Sequence, residues 1–271
     1  IYFEICNEPS NGDRQSAARR AEWHLALCDV IRRTEENLPK KHLIAVNPRE
    51  QILAYQKDGR DYFEVGDAAY FEDPRVDIIN YHYISRWKPG EDWAIFYTKG
   101  LKTDNTLEWK AGTVGNIWDF MRPRRNLKKP IVFDENYAGV IRGTPLNWDR
   151  NRMEAWEMIL AGGAGFDHLD WSFIPEDPVG SGKAPINDGR FLDGRQIRKQ
   201  LGALAKLWHE CRPLGMMPND NLAVSSPDNC LAFASSRNDG KLHVVYIADA
   251  RRDGEGFGEL LQGEIKLRLP E

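Results

Sequence analysis

Apolar residues along the chain fall into short unbroken runs, separated by stretches in which they recur every three or four positions. Residues 1–6 form a β-favouring run that stops at Asn7-Glu8-Pro9, where proline cannot continue a buried ladder. Over residues 16–37 the positions Ala17, Ala21, Leu25, Cys28 and Ile31 keep helical spacing, with Arg19, Arg20, Glu22 and Arg32 between them, which predicts an amphipathic helix. Residues 42–46 and 76–84 read as two buried strands, and 91–121 is helix-like in patches. A further run at 130–133 ends on Asp134-Glu135-Asn136. A helix over 150–161 follows, with Asp149 as its cap and Gly162-Gly163 at its end, then a strand over 166–173. The last helix spans 195–212, with Ile197, Leu201, Leu204 and Trp208 on one face and Pro213 closing it.

Strands alternating with helices imply parallel βαβ units. A doubly wound sheet would normally carry a Gly-rich first turn, and no GxGxxG occurs in the chain, so a (β/α)8 (TIM) barrel is the preferred architecture. Five units are visible where a barrel needs eight, so the expectation is a barrel lacking about its first three β/α units, with the first visible strand as the fourth. Residues 1–215 would form this partial barrel. After Pro218 the pattern changes to short strands over 222–225, 230–235, 242–248 and 263–269, with Asn238-Asp239-Gly240 as a hairpin turn. Residues 216–271 are therefore expected to form a small antiparallel, sandwich-like β domain, short for its class and so itself cut off.

Composition narrows the function. Hydrophobic residues at 41% and charged residues at 29% are ordinary globular usage. The net charge of −4 includes no concentrated basic segment, so nucleic acid is not an expected partner. No apolar run approaches the roughly 18 residues that span a bilayer, so no membrane partner is expected either. The four cysteines form no CxxC pair and the six histidines no HxxxH, which gives no metal centre; no cofactor is expected. The segment Gly180-Ser181-Gly182-Lys183-Ala184 falls short of a phosphate loop and reads as a surface loop.

Barrel active sites lie where strands end, which singles out Asn7-Glu8, Asn47, His82-Tyr83, Asp134-Glu135 and Asp170-Trp171. Two glutamates, an amide, an imidazole and aromatics suit sugar chemistry. Cleaving a glycosidic bond needs one carboxylic acid to protonate the leaving oxygen and one carboxylate across the anomeric carbon. Glu8 and Glu135 are the candidate pair. Flat C–H faces of sugars match aromatic rings such as Trp171. Glu4 shares the strand phase of Glu8 and is expected to pair with a barrel arginine.

The segment Tyr2-Phe3-Glu4-Ile5-Cys6-Asn7-Glu8-Pro9 resembles the fourth strand of the clan A glycoside hydrolases, the cellulase-like (β/α)8 families. Pro130-Ile131-Val132-Phe133-Asp134-Glu135-Asn136 is similar to their seventh. The resemblance covers roughly residues 1 to 215 and implies a retaining O-glycosidase acting on a polysaccharide or oligosaccharide. By position it implies Glu8 as acid/base, Glu135 as nucleophile, Asn7 on the sugar 2-hydroxyl, His82 and Tyr83 as the sixth-strand pair, and Trp171 as the aromatic floor. The order Tyr81-His82-Tyr83 departs from the relatives' His-x-Tyr. Alternation lets only one of Asp134 and Glu135 face the centre, and the resemblance favours Glu135. A non-catalytic carbohydrate-binding protein on a degenerate barrel is the alternative. A monomer is expected, outside the cell or in the periplasm, where such polymers lie.

Overall fold

The computed structural model describes residues 2–9, 17–48, 51–57, 60–64, 67–86, 116–136, 148–168, 170, 172–186, 189, 191–211, 215–249 and 262–269. The chain divides into two compact units. One comprises Ile1–Ala111, Asn126–Asn136 and Ala164–Phe166, the other Gly112–Arg125, Tyr137–Gly163 and Asp167–Glu271.

Five strands form one sheet in the order β1 (Tyr2–Glu4), β2 (Leu43–Val46), β5 (Ile78–Tyr81), β7 (Ile131–Asn136) and β8 (Gly165–His168), the first four of them within the first unit. The pairings of β1 with β2, β2 with β5 and β5 with β7 are all parallel. Each strand neighbours the previous strand of that sheet along the chain, with no reversal of direction. A doubly wound sheet would contain such a reversal, so the sequential order is that of consecutive strands in a β/α barrel.

Alternation sorts the side chains of β5 and β7. Ile79, Tyr81, Ile131 and Phe133 are at most 3% exposed and form the apolar layer, in which the Tyr81 and Phe133 rings lie 5.8 Å apart. The positions between them, Asn80, His82, Val132 and Asp134, occupy the other phase. Helix α1 (Ala17–Thr34) buries Ala21, His24 and Cys28, in keeping with its predicted apolar stripe, and the short α2 (Ala68–Phe71) buries Tyr70. Its Arg32 donates to His42 O, Arg75 O and Asp77 Oδ2, while Asp77 Oδ2 also accepts from Ile44 N on β2. A guanidinium that feeds carbonyls from two connections fixes α1 against the sheet.

Two local expectations are corrected, and two strands are new. The run 76–84 is not one strand: β5 ends at Tyr81, and Tyr83 opens β6 (Tyr83–Arg86) in a different sheet. That sheet also holds β3 (Gln51–Lys57) and β4 (Arg60–Glu64), antiparallel to each other, with β3 parallel to β6. Neither β3 nor β4 was anticipated from the apolar pattern, although Asp58-Gly59 between them is a hairpin signal. The eighth strand ends at His168 rather than at residue 173.

In the second unit, helix α4 (Trp148–Leu160) follows α3 (Asn116–Met121) along the chain, and it begins one residue before Asp149, which thus lies inside the helix. Helix α5 (Arg195–Cys211) buries Ile197 and Leu204 as its stripe predicts. The segment read as a surface loop is a strand, β9 (Ser181–Pro185), antiparallel to β10 (Phe191–Asp193). Asp177 organises it, accepting hydrogen bonds from Ser181 N, Ser181 Oγ and Lys183 N. The C-terminal strands β11 (Met216–Pro218), β13 (Cys230–Arg237) and β14 (His243–Asp249) form an antiparallel sheet, with Gly240 at φ +68° in the connecting turn. The short strands β12 (Ala223–Ser225) and β15 (Lys266–Leu267) pair separately. Among the described residues no helix is long and apolar enough to cross a membrane, and all four cysteines carry free thiols.

Candidate active site

The first unit gathers four carboxylates and one imidazole at the C-terminal ends of its parallel strands. His82 follows β5 directly and is 1% exposed, at the point where the chain leaves one sheet for the other. Its Nδ1 is hydrogen-bonded to Glu8 Oε1 at 3.0 Å, with the proton on the ring or on the carboxyl according to the state of the pair, and lies 3.7 Å from Glu135 Oε2. On the opposite side of the ring, Nε2 lies 3.7 Å from Asp134 Oδ1. Donor atoms from Glu8, His82 and Glu135 all fall within 4.8 Å of one another. The two glutamates, remote along the chain, therefore present carboxylate oxygens less than a sugar ring apart.

Below this group Asn80 is fully buried and its Nδ2 donates to Glu4 Oε1 at 2.9 Å and to Asp134 Oδ2 at 2.5 Å. Glu4 is thus held by an amide, not by the arginine expected from the sequence. The expectation that only one of Asp134 and Glu135 can approach the centre is also corrected, because the two acids reach opposite nitrogens of the same imidazole. Strict alternation holds within a ladder and relaxes at a strand's last residues.

Electrostatics follow from this crowding. Burial disfavours a charged His82, but the hydrogen bond to Glu8 and the charges of Glu135 and Asp134 outweigh it and raise the imidazole's pKa above its ordinary value. Burial raises the pKa of Glu4, as does the charge of Asp134, while His82 and Asn80 act in the opposite sense. The Glu8–His82–Glu135 spacing would also admit a cation, since carboxylates and imidazole are metal-ligand types. The hydrogen bond between His82 and Glu8 shows two of these donors satisfied by each other.

Glu8 itself has φ +48°, in the left-handed region, between an exposed Asn7 and Pro9. Such strain in a residue with a Cβ is most common at sites that need a side chain aimed against the backbone's preference. Asn47 is fully buried after β2, and its Nδ2 donates to Asn80 O at 3.4 Å. Tyr83 sits in β6 opposite Gln51, outside the five-stranded sheet, so the alternation counted along a single strand from His82 does not apply to it. Trp171 lies outside the described residues; its neighbour Asp170 accepts from Ser172 N and Ser172 Oγ and is paired with Arg198. Asn80 was not singled out by sequence, and Asp134 was singled out as a strand-end acid but set aside in favour of Glu135; Asn80 is a polar interruption of an apolar run, two positions before His82 and so in its phase.

No family model and no curated protein matches the chain. Solved structures do. A glycoside hydrolase family 5 structure from Bacteroides vulgatus is 18% identical with a TM-score of 0.51, covering 88% of this chain and 48% of that one. A second structure, described as a glycoside hydrolase, is 16% identical with a TM-score of 0.53, covering 88% and 49%. The endo-β-1,4-mannanase from Thermotoga petrophila is 15% identical with a TM-score of 0.49, covering 88% and 50%. The first two share this chain's fold. The chain spans about half the length of these structures.

Proposed function

We propose that the protein is a retaining O-glycoside hydrolase acting on a polysaccharide or oligosaccharide, with Glu135 as nucleophile and Glu8 as acid/base. One observation carries the reading: carboxylate oxygens of Glu8 and Glu135 approach within 4.8 Å of each other around a shared histidine. Retaining enzymes hold their carboxyl groups about 5–5.5 Å apart, whereas inverting ones need about 6.5–9.5 Å to seat a water molecule. The short gap favours direct attack.

In this mechanism Glu135 attacks the anomeric carbon while Glu8 delivers its proton to the leaving oxygen, and the C–O bond breaks as the glycosyl ester forms. Glu8, now a carboxylate, takes a proton from water; the water oxygen attacks the same carbon, and Glu135 departs ionised. A protonated His82 would favour the ionised form of Glu135 before attack and would stabilise it again as it leaves. Asn7, Tyr83 and Trp171 are assigned to sugar contacts by position. The chemistry requires no cofactor. The protein would act as a monomer outside the cell or in the periplasm, where its polymer is found.

Replacing Glu135 by Gln tests the assignment in the whole protein. Turnover of aryl glycosides and soluble glucans or mannans should disappear, with the melting temperature near the parent's, because an isosteric amide on a part-exposed side chain leaves packing intact. Parent-like hydrolysis by Glu135→Gln would overturn the nucleophile assignment. Binding without sugar release by the parent would instead favour a carbohydrate-binding protein.

A further inference from the structure

We propose that Asn80 is a positioning residue which, by clamping Asp134 to Glu4 with a single amide group, holds His82 and through it the glutamate pair. The inference rests on the glycosidase reading for its effect on turnover, but the clamp itself is independent of it.

The argument begins with the amide. Asn80 lies on β5, β7 carries Asp134 and β1 carries Glu4, so one buried NH2 joins three strands of the sheet. Its orientation is dictated by chemistry, since a flipped amide would turn its oxygen towards two carboxylates. The Oδ1 atom is left without a hydrogen-bond partner among the described residues, a cost accepted in exchange for both N–H bonds. Without a shared donor, the exposed Glu4 and the part-buried Asp134 would repel each other, and the pair would relax by moving apart or taking up a proton.

Asp134 transmits the clamp. One of its oxygens is held by Asn80 and the other faces His82 Nε2, while the ring's Nδ1 meets Glu8 and Glu135. Among the described residues, the charged groups bearing on His82 are thus Glu8 and Glu4 from the β1 segment and Asp134 and Glu135 from β7. Losing the charge or position of Asp134 removes one of the described contacts that orient the ring between the acids. Glu135 also follows Asp134 directly, so anchoring one fixes the backbone that aims the other.

Two variants separate this from a merely structural role. Asn80→Leu removes the donor at similar volume, and Asp134→Asn removes the charge isosterically, which keeps the test intact if the first variant fails to fold. His82 is titrated by NMR of its ring resonances, and kcat and KM are measured on an aryl glycoside. The clamp predicts that His82 titrates about one pH unit lower in either variant. It also predicts kcat lowered roughly ten- to a hundredfold with KM within about threefold, and a double variant no worse than the poorer single one, because both act through one network. An unchanged His82 titration in Asp134→Asn, whatever the melting temperature, would overturn the proposal. A parent without glycosidase activity would overturn the functional reading alone, and the titration would still decide the clamp.

Discussion

Glu8 shows how far a single residue can be read. Its place in Asn-Glu-Pro marked it as a candidate acid, and its left-handed backbone at φ +48° adds a cost of order 1–2 kcal/mol that no strand or helix requires. Glu8→Gly should therefore be more stable than Glu8→Ala by roughly 1 kcal/mol in urea unfolding, with neither variant hydrolysing glycosides efficiently. Equal stability would mean that the backbone there is unstrained. His82 was legible as a polar residue ending an apolar run, and Glu135 through its motif. Asp134 was visible as a strand-end acid but was set aside for Glu135, and Asn80 was not visible at all, because alternation assigns a face to each residue but does not reveal that one amide can bridge acids from two other strands. His24 offers a pH test away from the site. It is fully buried, its Nδ1 pairs with the Tyr70 hydroxyl, and burial together with Arg20 pushes its pKa down to about 4. A base with a depressed folded pKa resists protonation in the native state, so stability is intact above about pH 6.5 and is lost as pH falls towards 4. The parent should lose roughly 2–3 kcal/mol more than His24→Asn over that window, measured by denaturant unfolding. Parallel losses in the two proteins would refute it.

At the scale of elements, the parallel strands were legible because each is a short apolar run ending in polar residues, and the long helices because their stripes keep a constant period. The change of sheet at His82 left no such mark. Residues 76–84 are continuously β-favouring, and only pairing with β3 rather than with β7 ends the first ladder. The β9 strand was missed for the opposite reason: Ser181 to Pro185 is rich in turn formers, and its strand geometry is supplied by the hydrogen bonds of Asp177. Phe133 is the element-scale anchor of the site, fully buried against Tyr81, whose hydroxyl donates to Asp67 Oδ2. Phe133→Ala should destabilise the protein by about 3–5 kcal/mol. Urea midpoints measure this, and a loss below about 1 kcal/mol would mean that β7 is held chiefly by its other contacts.

For the whole molecule, the sequential order of five strands is what the sequence pattern conveyed best, since alternating strands and helices without a phosphate-binding glycine turn point to a barrel before any coordinates are known. The compact units were not legible. They interleave along the chain, with 126–136 and 164–166 joining the first unit, and such grouping depends on contacts between distant segments that leave no linker or change of composition. Glu8, Asp134 and Glu135, the described acids around His82, nonetheless belong to one unit, so the chemistry proposed for them rests on a single body.

The central claim, that Glu135 attacks a sugar which Glu8 helps to release, is tested most directly by trapping the intermediate. The whole protein would be incubated with dinitrophenyl 2-deoxy-2-fluoro-β-glucoside and the corresponding mannoside, then digested and sequenced by mass spectrometry. The predicted result is one fluoroglycosyl group on the peptide containing Asp134-Glu135, with fragmentation locating the ester on Glu135. A label on Asp134 or elsewhere, or rapid hydrolysis of unmodified glycosides with inverted products, would contradict the account.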